Sequence, residues 1–135
     1  MLAGLVVVMA LQSGPQAETV VRDMMSQVDE PKQASAQTEA EWAALWKLHA
    51  GAKALPKVDL KTRTVVAVFL GTRSSAGYSL EITALRPTNG VMTIEWQERR
   101  PAPGTISAQV ITSPALIATI PKFSGEIRFQ KVESK

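Results

Sequence analysis

The chain has 135 residues, no cysteine, and a net charge of +3 from 15 basic and 12 acidic side chains. That length supports one core, and the missing cysteines exclude a disulfide framework, a thiol nucleophile, Cys-ligated zinc or iron-sulfur, and a cysteine-linked lipid anchor. The slight, scattered charge excludes the concentrated basic face that nucleic-acid binding needs, while 45% hydrophobic residues fit an ordinary globular domain.

Met1 to Leu11 (MLAGLVVVMAL) is an uncharged apolar run, followed by Gly14-Pro15 and the small residue Ala17. It is shorter than the roughly 20 apolar residues of a spanning helix, so no stable membrane span is expected. Its length is that of the apolar part of a signal peptide, although no basic residue precedes it. Residues 1–17 are therefore expected to be a signal peptide or membrane-proximal segment, and 18–135 a single domain. The rival reading is a buried N-terminal strand or helix. The first reading implies a secreted or periplasmic, cell-envelope protein of bacterial type.

Glu18 to Met25 reads as a strand, and the polar Ser26 to Gln37, with Pro31 inside it, as a loop. Thr38-Glu39-Ala40-Glu41 is a capping box, and Trp42, Leu45, Trp46 and His49 follow at helical spacing up to a stop at Gly51. Two Trp on one stripe must dock on a flat apolar surface, most simply a sheet face. Arg63 to Leu70 (RTVVAVFL) is apolar on both faces and predicts a central strand. Tyr78 to Leu85 alternates, with Tyr78, Leu80, Ile82 and Ala84 on one face; Asn89-Gly90 signals a hairpin turn, and Val91 to Gln97 returns. Thr105 to Thr112, Leu116 to Ile120 and Glu126 to Val132 are the remaining expected strands. About six to seven short antiparallel strands and one helix predict a mainly β domain, a β-sandwich or half-open barrel, with the helix near 39–50 covering a sheet face.

Candidate sites are few. The single histidine, His49, lies on the Trp stripe, which suits a packed helix-end residue; no carboxylate pair or nucleophile elbow accompanies it. Gly71 to Gly77 lacks the Lys-Ser/Thr and following helix of a phosphate loop. It is either a hairpin loop or a recognition loop in which small residues bring backbone close to a partner and Arg73 and Tyr78 act as anchors. Arg99-Arg100-Pro101-Ala102-Pro103-Gly104 is a second stiff loop, and Thr112-Ser113-Pro114 a turn at a strand end.

Three of these segments together resemble a known family. Val65 to Gly71 followed by Arg73-Ser74-Ser75-Ala76-Gly77-Tyr78 resembles the VVAVFLG-x-RPTGGY core of the PrcB C-terminal domain family. Glu98 to Gly104 is similar to its E-x-x-P-x-PG segment, and Gln109 to Pro114, with Ile120-Pro121, to its Q-x-x-TSP…IP segment. Glu41 to Trp46, with His49, looks like the helix that often precedes this core. The resemblance spans roughly residues 38–130. It departs from the family at Ser74-Ser75-Ala76, where the pattern has Pro-Thr-Gly; without the Pro, ordering the loop costs more. The family takes its name from a non-catalytic subunit of a bacterial cell-surface protease complex, associated with stabilising the protease. The resemblance thus implies an exported, non-enzymatic protein-binding module, a PrcB-like protease complex subunit whose partner is a secreted or cell-surface protease.

On that reading the contact residues are Arg73, Ser74, Ser75, Gly77 and Tyr78, with Arg99, Arg100, Pro101, Pro103, Gly104, Thr112, Ser113 and Pro114 beside them. No catalytic residue, metal or cofactor is expected. The alternative is a small-ligand or envelope-glycan binder using a helix–sheet cleft, where an exposed Trp42 or Trp46 would stack. A third reading, a hydrolase built on His49, requires a Ser hydroxyl within hydrogen-bond reach of the imidazole in a cleft.

Overall fold

The computed structural model describes residues 16–133. The expected signal segment therefore lies outside the described residues, apart from Gln16 and Ala17. In chain order the elements are β1 (Glu18–Asp23), β2 (Pro31–Ala36), α1 (Glu39–Ala50), β3 (Arg63–Leu70), β4 (Ser79–Thr88), β5 (Val91–Arg99), β6 (Ala115–Pro121) and β7 (Glu126–Lys131). The strands form two sheets, an antiparallel one ordered β1-β6-β3-β2 and a smaller one ordered β4-β5-β7. The fold is a β-sandwich with no closed barrel, and α1 covers the outer face of the larger sheet. No helix among the described residues is long and apolar enough to cross a membrane.

The alternation of β3 and β6 explains the layering. Side chains along a strand point alternately to opposite faces. Val65, Ala67, Phe69, Ala115 and Ile117 face the helix and pack with Trp42, Leu45 and Trp46. Val66, Val68, Leu70, Leu116, Ala118 and Ile120 face the second sheet and meet Met92, Ile94, Trp96 and Leu80. Both central strands are thus covered on both sides, which is why each is apolar throughout. Thr38 caps α1 by accepting from the Glu41 amide at 3.1 Å, and Glu41 reaches back to the Gln37 amide at 2.8 Å. Asn89 and Gly90 have φ of 52° and 79°, the two positive values that a tight hairpin turn requires.

Four expectations need correction. Pro31–Ala36, read as loop, is strand β2. It is an edge strand pairing only with β3, so Pro31 is tolerated at its first position and the small Ala34 and Ala36 suffice against the helix layer. Thr105 to Thr112, read as a strand, forms none; only Thr112 bridges to Arg73. The strands are not all antiparallel, because β7 runs parallel to β5. Finally, β4 carries a bulge between Ile82 and Ala84. The extra residue shifts the phase, so Leu85 rather than Ala84 joins Ile82 in the core.

Candidate functional site

The three loop segments singled out in the sequence meet at one end of the sandwich. The Arg73 amide donates to the Thr112 carbonyl at 2.8 Å and the Thr112 amide to the Arg73 carbonyl at 2.9 Å. Thr112 Oγ1 donates to the Ser75 carbonyl at 3.0 Å, and the Ala76 amide to the Ala108 carbonyl at 3.0 Å. Gly77 brings in the third segment. Its φ is +98°, and a Cβ there would stand 2.8 Å from Pro101 Cγ and 3.0 Å from Ser107 Oγ. Only glycine allows that approach without displacement.

Arg73 is the centre of this end, and its guanidinium points inward. Nε and Nη2 donate to the two carboxylate oxygens of Glu98 at 2.8 and 3.0 Å, while Nη1 donates to the carbonyls of Leu70 (3.1 Å) and Thr72 (2.8 Å). The Glu98 side chain is 5% exposed and also accepts from Lys131 Nζ at 3.2 Å. The bond from Arg73 first, and then that from Lys131, hold its carboxyl below the usual carboxylate range against the opposing effect of burial. A bidentate pair of this kind fixes direction as well as distance, so the loop from Gly71 to Tyr78 is tied to β5. The Tyr78 ring lies 5.7 Å from the guanidinium carbon.

The other predicted residues divide by burial. Ser113 and Pro114 are buried: the Ser113 amide donates to the Met24 carbonyl, its own carbonyl accepts from Ser26, and the Pro114 carbonyl accepts from Leu70. Ser74, Arg100, Pro103 and Gly104 are exposed, while Ser75, Tyr78 and Pro101 are half-buried. Arg99 is exposed too, but it pairs with Glu81 across the sheet at 2.7 Å. Pro103-Gly104 sits in a turn closed from the Thr105 amide to the Ala102 carbonyl. Tyr78 and Pro114 also line a cleft of about 130 Å³ between the facing edges of the two sheets, with Arg22, Asp23, Leu80 and Ala115.

Sequence reasoning placed Glu98 in the Glu98 to Gly104 segment without seeing its role, and missed Lys131, Arg22 and Asp23 as parts of this end. A signal for Glu98 was present: it falls in phase with the inward-facing Met92, Ile94 and Trp96 of β5, and a carboxylate in that phase needs a cationic partner.

The Trp helix offers no stacking platform. Trp42 and Trp46 are 1% and 8% exposed, and their indole N–H groups donate to the carbonyls of Pro56 (3.0 Å) and Lys53 (2.9 Å). The hollow of about 420 Å³ on this side is lined by Trp42 together with Glu39 and Leu55 to Asp59, but at 1% exposure Trp42 offers it almost no surface. Two buried Trp favour the protein-binding reading over the ligand cleft.

His49 does meet a serine hydroxyl. Ser26 Oγ lies 2.8 Å from Nδ1 and Asp23 Oδ2 3.5 Å from Nε2, while Ser26 Oγ accepts from the Val28 amide. A carboxylate can only accept, so the nitrogen facing Asp23, Nε2, carries the proton, and Nδ1 of the neutral ring accepts from the Ser26 hydroxyl. The constellation has the members of a hydrolytic triad without its surroundings. His49 is 2% exposed, and the adjacent amides of Ser26 and Gln27 already donate to the carbonyls of Ser113 and His49, so neither is free as an oxyanion donor. It serves instead to latch the β1–β2 connection to the end of α1.

Burial lowers the His49 pKa, outweighing the Asp23 carboxylate that raises it. A neutral buried histidine contributes stability above its unfolded pKa of about 6.5, and that stability is lost as pH falls towards the lower folded value. The thermal midpoint is therefore expected to be flat above pH 7 and to decline towards pH 5. His49→Gln should flatten the decline, measured by circular dichroism melts. An unchanged slope would remove His49 from the account, since no other histidine is present.

The family model described as PrcB C-terminal matches residues 64–121. That stretch runs from β3 to the end of β6 and contains all three converging segments; α1 lies outside it. No curated protein and no solved structure matches the chain.

Proposed function

We propose that this chain, which belongs to the PrcB C-terminal family through residues 64–121, is an exported, non-enzymatic accessory module that binds a protease and stabilises or regulates it. The family association is with a protease complex. The observation that carries the reading is the convergence of its three segments on one loop cluster, built on the buried Glu98 and presenting Tyr78, Arg100 and Pro103 outward. A loop cluster held by a bidentate ion pair and a backbone ladder is pre-organised, which lowers the entropy cost of binding. Its outward residue types, Tyr and Arg, are those enriched at binding hot spots. The cleft between Tyr78 and Pro114, at about 130 Å³, has room for a single apolar side chain of the partner. No cofactor is called for. Residues 18–135 act as one domain, with residues 1–17 directing export to the envelope or beyond.

The test is affinity capture with immobilised residues 18–135 from the envelope and secreted fractions of the source cells. A protease is expected among the retained proteins, with its self-degradation or turnover altered when the module is added. Retention of no protease would overturn the reading. N-terminal sequencing of the protein recovered outside the cytoplasm should begin close to residue 18.

A further inference from the structure

We propose that Thr105 to Ile111 is a docking edge: it takes up an extended, uncharged segment of a protein partner, apolar at alternate positions, as an added β-strand. The inference rests on the reading that the chain binds a protein, and it names the surface and the form of the bound segment.

The sequence of this stretch is that of a strand, rich in β-branched residues (TISAQVIT), yet the fold pairs it only sparsely, at Ala108 and Thr112. Ala108 and Thr112 turn backbone groups to Ala76 and Arg73. Thr112 turns its backbone groups to Arg73 and Ser113 turns its own the other way, to Met24 and Ser26; extended backbone continued upstream would turn Ile111 and Gln109 to that second side, the side of β1. But β1 has already left: it pairs with β6 up to Asp23, Met25 bridges to Ser113, and the Gln27 amide turns to the His49 carbonyl. The backbone groups of Gln109 and Ile111 have no hydrogen-bond partner among the described residues.

The side chains agree. Among the described residues six large hydrophobics are exposed; three of them lie in this stretch, Ile106 at 101%, Val110 and Ile111 at 71%, and a fourth, Met25, bridges to Ser113 just beyond its end. An exposed apolar edge of this kind is a template for another strand. The other edges are blunted. β2 begins with Pro31-Lys32, β4 has its bulge and Pro87, β7 carries Glu126, Arg128 and Lys131, and β1 is bulged near Val20. One edge left open while four are protected is the pattern of a binding edge.

Charge selects the occupant. No charged residue occurs from Pro101 to Pro121, and the run begins beside Arg100, which is exposed and has no ion pair among the described residues. The complementary segment is uncharged along its length and carries a carboxylate at the end nearest Arg100. A second copy of this chain lacks that carboxylate in the matching stretch, and one short strand pairing falls below the roughly 800 Å² per partner of a stable dimer.

The probe is an acetylated eight-residue peptide alternating Thr and Val and ending in Asp, compared with the same peptide carrying a central Pro. Residue-resolved amide exchange of the full chain is the readout. The first peptide is expected to slow exchange at Gln109 and Ile111 by about tenfold at millimolar concentration, and the Pro peptide to leave both unchanged. Val110→Asp, at a half-exposed position that leaves the core intact, should abolish the protection. No protection, or protection at the β2 or β7 edge, would overturn the proposal. So would protection without peptide that grows with protein concentration, the sign of a second copy. Peptide uptake here by a chain that retains no protease would break the accessory reading and leave the docking edge standing. A retained protease with Gln109 and Ile111 still freely exchanging would do the reverse.

Discussion

Trp42→Ala is expected to lower the free energy of unfolding by about 3–5 kcal/mol, in the range for removing a fully buried large aromatic side chain. For a domain of this size that is a fall of about 15 °C in the thermal midpoint. Three effects add. The indole fills the space between α1 and the outer face of the larger sheet. It packs against Trp46 with ring centroids 5.7 Å apart. Its N–H satisfies the Pro56 carbonyl, so its loss also releases the connection that wraps α1. Trp42→Phe keeps most of the volume and loses the hydrogen bond, so it should cost about 1–2 kcal/mol. A loss below about 1 kcal/mol for the alanine variant would mean that α1 is not docked on the sheet as described.

Arg73→Ala is the second large effect. It leaves the Glu98 carboxylate, 5% exposed, with Lys131 as its remaining cation and opens the Leu70 and Thr72 carbonyls. Removing one member of a buried pair costs about 3 kcal/mol, because the other charge stays behind. Arg73→Lys should recover little, since an ammonium cannot make the two parallel bonds. Replacing both members, Arg73→Met with Glu98→Leu, should be less harmful than Arg73→Ala alone, as no unpaired buried charge remains. A double variant at least as unstable as Arg73→Ala would refute the coupling. Because Glu98 is held below its ordinary pKa, its contribution is present above about pH 4.5 and is lost as pH falls further.

The same geometry changes how the loop must be probed. A guanidinium that makes four internal hydrogen bonds is a poor test of partner contact, because its removal loosens Gly71 to Tyr78 as a whole. Tyr78 and Arg100 can be changed with less disturbance, the first being half-buried and the second exposed.

Much of the fold was legible in the residues. The capping box from Thr38 to Glu41 and the stop at Gly51 bounded the helix, and the two-faced apolar run of β3 marked a strand covered on both sides. Asn89-Gly90 announced its hairpin through backbone conformations that few other residues adopt. What was hidden depended on tertiary context. The polar β2 carries no hydrophobic signature because it sits at an edge, and Thr105 to Thr112 has strand propensity with no strand to pair with. The bulge in β4 leaves Ile82 and Ala84 looking in phase although the backbone separates them. At the site, the sequence pointed to the segments but not to their roles. Arg73 and Tyr78 are neighbours in one loop, yet the partner of Arg73 lies 25 residues away on β5. The Ser26–His49–Asp23 cluster joins a turn, a helix end and a strand end that no local pattern connects.

The end of the sandwich bearing Tyr78 and Arg100 is the surface proposed to bind a protease. The most direct measurement is quantitative capture of that protease by three proteins with matched melting curves: the parent, Tyr78→Ala combined with Arg100→Ala, and Leu55→Ala, an exposed change at the hollow beside Trp42. Capture by the parent and by Leu55→Ala is expected, with loss of about 2 kcal/mol or more of binding free energy in the double variant. Equal capture by all three, or loss confined to Leu55→Ala, would contradict it and move the binding surface to the helix side of the molecule.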